Sequence, residues 1–185
     1  ATPMSLTTGV GLGAQYGILI RSGDALQTAA KLNAVILDKT GTITEGKPAL
    51  TDIVLLEGYD AHEVLRLAAT VERASEHPLA QAIVEGAEVR GLSMGTLASF
   101  EAAPGHGVMA AVDGRELQIG NRKLLQRAGI DPGRLEAEAQ RLADDGKTPM
   151  FVVLDGRAAG ILAVADTVKA DSQAAIAAMK RLGLE

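Results

Sequence analysis

Two Asp-Gly dipeptides, each set between apolar runs, constrain the fold of this chain more than any other feature of its sequence. Asp113-Gly114 separates residues 108–112 from 116–119, and Asp155-Gly156 separates 151–154 from 158–164. This dipeptide is typical of two-residue hairpin turns, because both turn positions need positive φ, which Gly and Asp tolerate best. The sequence therefore predicts two antiparallel hairpins.

Helical spacing of apolar residues around the hairpins predicts that helices cover this sheet. The expected helices of this region are 61–72, 78–90 and 132–144, with a further strand at 53–56. Outside it, helices are expected at 24–32, capped by Ser22 or Asp24, and at 174–182. Aromatic residues make up only 2% of the chain, so the core must be aliphatic.

Composition excludes several classes of protein. The net charge of −5 provides no basic surface for nucleic acid, and the absence of cysteine excludes disulfides, zinc fingers and thiol nucleophiles. The 3 histidines are not spaced as the ligands of a structural metal. Residues 1–20 carry no charge, and Gly9, Gly13 and Gly17 recur every fourth residue, so this segment is either the end of a membrane helix or a flexible arm.

A continuous apolar run at residues 34–37 ends in Asp38. Such a run is typical of a buried parallel strand, and open α/β sheets carry their chemistry at the carboxyl ends of such strands. Asp38 is therefore a candidate nucleophile or metal ligand, with an ordinary turn residue as the alternative. A second apolar run ends in Asp166 and is assigned to the same parallel sheet. Gly46 and Pro48 are expected in a linker to an inserted module.

The segment Asp38-Lys39-Thr40-Gly41-Thr42 resembles the phosphorylation signature of P-type ion-pumping ATPases, a branch of the haloacid dehalogenase superfamily. The resemblance implies that Asp38 attacks the γ-phosphate of ATP and becomes an acyl phosphate. It assigns Lys39 as a counter-charge, Thr40 and Thr42 as phosphate donors, and Asp38 with Thr40 as part of an incomplete Mg²⁺ site. Phosphatases of this superfamily carry a second aspartate where this chain has Thr40. Without that general acid and base, the acyl phosphate should persist longer.

Further segments resemble the nucleotide-binding domain of heavy-metal-transporting pumps. Ser75-Glu76-His77-Pro78 is similar to their Ser-Glu-His-Pro signature, Gly105-His106-Gly107 to their Gly-x-Gly, and Gly120-Asn121 to their Gly-Asn. The nucleotide-contacting residues that the resemblance implies are Glu72, Glu76, His77, Gly105, Gly107, Gly120 and Asn121. Five of them have a plainer interpretation: His77 and Asn121 as helix caps, Glu72 as a solvated helix residue, and Gly105 and Gly107 as turn residues.

The opening Ala1-Thr2-Pro3 resembles the residues that follow the Cys-Pro-Cys segment of copper pumps. With the Ser-Glu-His-Pro form, it favours the Cu(I)/Ag(I) branch over the zinc/cadmium branch. The implied α/β fold is an antiparallel-sheet nucleotide-binding domain with helices, inserted in a partial haloacid-dehalogenase-like (Rossmannoid) phosphorylation domain. The expected divisions are a membrane-helix end and stalk (1–31), the first part of the phosphorylation domain (32–47), the nucleotide-binding domain (48–162) and a return segment (163–185).

We therefore expect the ATP-binding and phosphorylation-loop part of a P-type ATPase that exports Cu(I), at the cytoplasmic face of a membrane. The partners expected are ATP and Mg²⁺, with Cu(I) bound by other parts of the parent, no nucleic acid, and a monomeric chain. Because the family's other Mg²⁺ and metal segments are not found in the sequence, nucleotide binding without turnover is expected. The alternatives are a soluble haloacid-dehalogenase-type phosphatase with a cap domain, a zinc/cadmium-type pump, and a nucleotide-binding module without turnover.

Overall fold

The computed structural model describes residues 4–185 and separates them into two compact units. The terminal unit comprises the described residues up to Asp38 together with Lys169–Glu185, and the sheet unit comprises Lys39–Val168. The interpretation of Ala1-Thr2-Pro3 lies outside the described residues. The units are defined by compactness alone, so the functional divisions at 31/32, 47/48 and 162/163 stay predictions.

The sheet unit is built on a six-stranded, fully antiparallel sheet with strand order β1-β6-β5-β4-β3-β2. The strands are β1 (Thr44–Leu55), β2 (Leu97–Ala103), β3 (Gly107–Val112), β4 (Arg115–Gly120), β5 (Thr148–Leu154) and β6 (Arg157–Val168). The predicted α/β class with an antiparallel sheet is confirmed. Strand β2 was not predicted, because it mixes small, acidic and aromatic residues without a clean alternation.

Both Asp-Gly hairpins are confirmed. Asp113 and Gly114 have φ of 49° and 78°, and Asp155 and Gly156 have φ of 50° and 76°, as the tight turn requires. Arg115 holds the two turns together, because its Nη2 donates to the Asp155 carboxylate at 2.8 Å.

Helices cover both faces of the sheet. On one face, α3 (Ala61–Glu72) and α4 (Ala80–Glu88) pack with β-strand residues such as Leu117 and Leu162 into the larger core. On the other, α5 (Arg122–Ala128) and α6 (Leu135–Asp144) pack against Phe151 and Ile161. Because Phe151 is the only aromatic residue buried in either core, the expected aliphatic interior is confirmed for the described residues.

The first and last strands of the sheet unit run further than the sequence predicts. Gly46 and Pro48 lie in β1 at a register shift, so the expected linker is wrong. Asp166 lies within β6, paired antiparallel with Pro48, so the assignment of its apolar run to a parallel sheet is also wrong. The start of β1 pairs with β6 because the Asp166 carboxylate accepts hydrogen bonds from the backbone amides of residues 46 and 47. These bonds hold the irregular start of β1 against β6.

The terminal unit contains α1 (Met4–Gln15), α2 (Gly23–Ala29) and α7 (Ser172–Arg181). Ser22 caps α2, since its Oγ accepts from the Ala25 amide at 3.1 Å, as predicted. Within residues 4–185, no helix combines the length and the apolar character needed to cross a bilayer.

The expected buried strand at 34–37 is wrong, because the segment is not a regular strand and Ile36 is 100% exposed. Its backbone does begin a parallel pairing: Glu185 donates to the Asn33 carbonyl at 2.9 Å and accepts from the Val35 amide at 2.8 Å. A parallel strand is buried only when strands and helices flank it on both sides. Here a single residue, Glu185, provides the pairing found among the described residues.

Candidate functional site

The sheet unit contains a cavity of about 790 Å³ that is lined from five separate segments of the chain. These are the end of α3, the loop before α4, the end of β2 with the turn into β3, the end of β4, and the start of β5. The cavity brings together the whole set of residues implied by the resemblance: Glu72, Glu76, His77, Gly105, Gly107, Gly120 and Asn121. Their roles stay predictions, but their convergence is a property of the fold.

Glu72 is the last residue of α3 and is only 6% exposed, so the interpretation as a solvated helix residue is wrong. Burial raises the pKa of its carboxyl, and a hydrogen bond with Ser75 opposes that rise in part. A buried carboxyl with a raised pKa that lines a cleft is typical of a functional site.

His77 lies in the loop before α4 and lines the cavity. Its Nδ1 accepts a hydrogen bond from the Leu79 amide at 3.2 Å, which orders the turn before the helix. The N-cap residue of α4 is Leu79, without a side-chain cap bond, so the cap interpretation of His77 is wrong. A ring nitrogen that accepts cannot carry the proton, so the neutral ring bears its hydrogen on Nε2. His77 therefore presents an N–H donor.

Two of the glycines are required by the backbone that forms the cavity wall. Gly107 and Gly120 pair across β3 and β4, and Gly107 has φ of 147°. A Cβ on Gly107 would collide with the Ile119 carbonyl oxygen, and one on Gly120 with the His106 carbonyl oxygen. Gly105 differs, since it has φ of 73° but open space around the Cβ position, as expected of a turn residue.

Asn121 joins the end of β4 to the turn before β3. Its Oδ1 accepts from the Lys123 amide at 3.0 Å and caps α5, while its Nδ2 donates to the Gly105 carbonyl at 2.8 Å. Its backbone amide donates to the His106 carbonyl at 2.9 Å. One residue thus fixes both the helix and the glycine turn on this side of the cavity.

The segment that resembles the phosphorylation signature is exposed. Asp38 ends the first stretch of the terminal unit, and Lys39–Ile43 form an irregular turn at the start of the sheet unit, with Gly41 at φ of 77°. In the sheet unit, the Gly41 amide donates to Thr44 Oγ1 at 3.3 Å, and the Thr44 hydroxyl donates to Asp166.

Thr44 and Asp166 were not identified from the sequence as partners of this turn. Thr44 is buried, and its hydroxyl is shared between the turn and β6. Asp166 was noted at the end of an apolar run but was assigned to the wrong sheet. The signal that could have found the pair is a hydroxyl residue after the signature and an acidic residue at the end of the strand that pairs beside it.

The described residues 4–185 bring together no group of three or more acidic or histidine side chains able to hold a metal ion. Asp38 and Thr40 provide one carboxylate and one hydroxyl, fewer oxygen ligands than Mg²⁺ takes up. These residues therefore fit part of a magnesium site at most, and a complete site would need further oxygen ligands.

The family model for haloacid dehalogenase-like hydrolases matches residues 32–185. The chain belongs to this family of hydrolases.

Within the family, the whole chain is similar to P-type ATPases. It is 45% identical to "Copper-transporting ATPase 1" of Rhizobium meliloti (strain 1021) and 48% identical to "Copper-transporting P-type ATPase" of Rhizobium leguminosarum bv. viciae. Each match covers 100% of this chain and 22% of the relative, so the chain spans about a fifth of their length.

Among solved structures, a zinc-transporting PIB-type ATPase in its E2.Pi state matches with a TM-score of 0.89 and 36% identity. The match covers 100% of this chain and 30% of that chain. Together with the sequence relatives, this match confirms the resemblance to heavy-metal P-type ATPases.

Proposed function

We propose that this chain is the ATP-binding and phosphorylation segment of a P-type ATPase that exports Cu(I). The observation that carries the proposal is the single cavity, in which every residue implied by the resemblance to a nucleotide-binding domain converges from distant parts of the sequence.

The polar groups of the cavity suit an adenine nucleotide. Glu72 lies buried and offers carboxylate oxygens to an amino group such as that of adenine, while the His77 ring offers an apolar face and an N–H donor. The turn at Gly105 to Gly107 has no side chain at either glycine, which lets a ligand approach the backbone closely. Such a site would bind mainly through the base, so ATP and ADP should bind with similar affinity.

The phosphorylation step follows from the resemblance of the Asp38 segment. A carboxylate oxygen of Asp38 attacks the γ-phosphorus of ATP, the bond to the β–γ bridging oxygen breaks, and ADP leaves with that electron pair. The product is an aspartyl phosphate. Mg²⁺ would neutralise phosphate charge in this reaction, and Asp38 with Thr40 would provide part of its ligands.

The proposed transported ion and the proposed location at a membrane rest on the relatives. The two curated relatives named above are described as copper-transporting, which supports Cu(I), with Ag(I) as an alternative ion of the same softness. The structural neighbour is described as zinc-transporting, so the cargo must be measured. In a membrane-embedded parent, this segment would lie at the cytoplasmic face.

Titration calorimetry of the chain with ATP tests the nucleotide site. His77→Ala should weaken ATP binding about ten-fold, because a ring contact and a hydrogen bond are lost. His62→Ala is the matched control, since His62 is exposed on α3 and does not line the cavity. Equal ATP affinities for His77→Ala and the wild type, with both folded by circular dichroism, would refute the site.

The catalytic part of the proposal is tested in the full-length parent. Radiolabelled ATP should leave an acid-stable, hydroxylamine-sensitive phosphate on the wild type and none on Asp38→Asn. Stimulation of ATP hydrolysis by Cu(I), compared with Ag(I) and Zn²⁺, identifies the cargo. A labelled Asp38→Asn protein would show that Asp38 is not the acceptor.

A further inference from the structure

The cavity is lined by two histidines, and the hydrogen bonds around them fix opposite tautomers. His77 Nδ1 accepts from the Leu79 amide, so its neutral ring carries the hydrogen on Nε2. His106 Nδ1 lies 2.9 Å from the Pro104 carbonyl oxygen, which can only accept. The His106 ring must therefore carry its hydrogen on Nδ1 and leave Nε2 as an acceptor in the neutral form.

The position of His106 in the cavity is set by the backbone. It sits half-buried between Gly105 and Gly107, and its carbonyl oxygen accepts from the Asn121 amide at 2.9 Å. Residue His106 is thus held by its backbone carbonyl and by its ring Nδ1. Among residues 4–185, no hydrogen-bond partner is found for its ring Nε2. The other titratable groups that line the cavity are Glu72, Glu76 and His77.

We propose that His106 Nε2 accepts a hydrogen bond from a ribose hydroxyl and makes this cavity select ribonucleotides over deoxyribonucleotides. This inference rests on the proposed nucleotide site. An acceptor needs a ligand atom that bears hydrogen, which in an adenine nucleotide at neutral pH is the amino group or a sugar hydroxyl, since the phosphate oxygens are largely ionised. Glu72, on the buried wall, offers the acceptor for the amino group. His106 is half-buried on a different wall of the cavity, so the donor that meets its Nε2 is a sugar hydroxyl.

The test compares ATP with 2′-deoxy-ATP and 3′-deoxy-ATP by titration calorimetry. The wild type should bind ATP roughly five-fold more tightly than one of the two deoxy analogues, the size expected for one hydrogen bond. His106→Ala should weaken ATP to the level of that analogue and leave the analogue unchanged. His62→Ala, the exposed histidine outside the cavity, should keep the wild-type ratio.

A conservative variant separates the hydrogen bond from the shape of the turn. His106→Gln keeps an acceptor oxygen near the place of Nε2, so it should restore part of the discrimination that His106→Ala loses. His106→Gln that discriminates no better than His106→Ala would assign the effect to the turn and overturn the inference.

The tautomers are read directly by nitrogen NMR. Because the chain has only 3 histidines, the side-chain ¹⁵N signals can be assigned from the single variants. The free protein should show Nδ1–H for His106 and Nε2–H for His77, and ATP should shift His106 Nε2. Nε2–H on His106 would overturn the inference.

The outcomes distinguish this inference from the proposed function. Failure of the wild type to bind ATP overturns the proposed function itself. ATP binding with an unchanged ratio in His106→Ala overturns only the role of His106. A loss in His106→Ala that grows from adenosine through AMP and ADP to ATP would place the ring at the phosphates instead, and would also overturn it.

Discussion

The side-chain amide of Asn121 spans the gap between the start of α5 and the carbonyl of Gly105. Its Oδ1 accepts from the Lys123 amide at 3.0 Å, and its Nδ2 donates to Gly105 at 2.8 Å. The cap and the tether use different atoms of one amide, so substitutions can separate them. This makes Asn121 the sharpest test of whether the glycine turn must be held in place for a nucleotide to bind.

Asn121→Ala should lower the free energy of unfolding by about 1–2 kcal/mol, because the α5 cap and the tether are both lost. Asn121→Asp keeps an oxygen for the cap but loses the donor to Gly105. We expect Asn121→Asp to lose less stability than Asn121→Ala, because the cap is kept, and to bind ATP more weakly than the wild type, through the loosened turn and the added negative charge. Wild-type ATP affinity in Asn121→Asp would show that the tether does not serve binding.

Gly107 and Gly105 should respond differently to alanine, although they are two residues apart. Gly107→Ala places a Cβ against the Ile119 carbonyl oxygen and should destabilise the chain by about 2–3 kcal/mol. Gly105→Ala meets no atom within 4 Å and carries only the strain of φ at 73°, about 1 kcal/mol. Urea unfolding of both variants measures the difference. Equal losses would mean that β3 and β4 can separate at this point.

The sequence predicts the parts of this fold that depend on local chemistry. The Asp-Gly turns, the Ser22 cap and the limits of helix 61–72 agree with the structure because each depends on neighbours within a few residues. The nucleotide set came from a resemblance, and no rule of spacing predicts that Glu72 and Asn121 meet across a sheet.

The predictions that were wrong concern the pairing of strands that are distant in the sequence. The runs before Asp38 and Asp166 look alike as apolar segments, yet the first is a half-exposed irregular stretch and the second is a buried strand. The two runs differ in their strand partners: β6 pairs with β1 and β5, whereas the backbone around the 34–37 segment pairs only with Glu185 among the described residues. Burial of a strand is decided by its neighbours, which composition does not encode.

The carboxylate of Asp166 should protect the start of β1. It accepts from the Gly46 amide at 2.8 Å, from the Lys47 amide at 3.2 Å, and from the Thr44 hydroxyl. Asp166→Ala should cost about 1–3 kcal/mol of unfolding free energy and speed hydrogen exchange at the amides of residues 46 and 47.

The control is Asp171→Ala, because Asp171 makes no side-chain cap bond at the start of α7. It should leave exchange at residues 46 and 47 unchanged. Undiminished protection of these amides in Asp166→Ala would mean that pairing with β6 alone orders this stretch.

The buried Glu72 should make stability fall as pH rises. Burial raises the pKa of its carboxyl in the folded state above the value in the unfolded chain, so the folded state holds the proton more tightly. The favourable contribution of Glu72 to the free energy of unfolding is fully present below the pKa that its carboxyl has in the unfolded chain. This contribution is lost as the pH rises through the pKa of the carboxyl in the folded state. Glu72→Gln cannot ionise, so it should match the wild type at acid pH and become the more stable protein toward neutral pH.

Glu72→Gln should raise stability toward neutral pH but weaken the binding of ATP. If the Glu72 carboxylate accepts from the adenine amino group, a neutral amide makes the weaker bond, and Glu72→Gln should bind ATP several-fold less tightly. Glu88→Gln is the matched control, since Glu88 is exposed at the end of α4 and does not line the cavity, and it should leave ATP affinity unchanged. Urea unfolding from pH 4 to 8 (about the range that carboxyl titration covers) and ATP calorimetry at neutral pH measure both effects.

Parallel stability curves for Glu72→Gln and the wild type would exclude a carboxyl that titrates in the buried site. A stabilised Glu72→Gln with undiminished ATP affinity would instead separate Glu72 from the adenine contact.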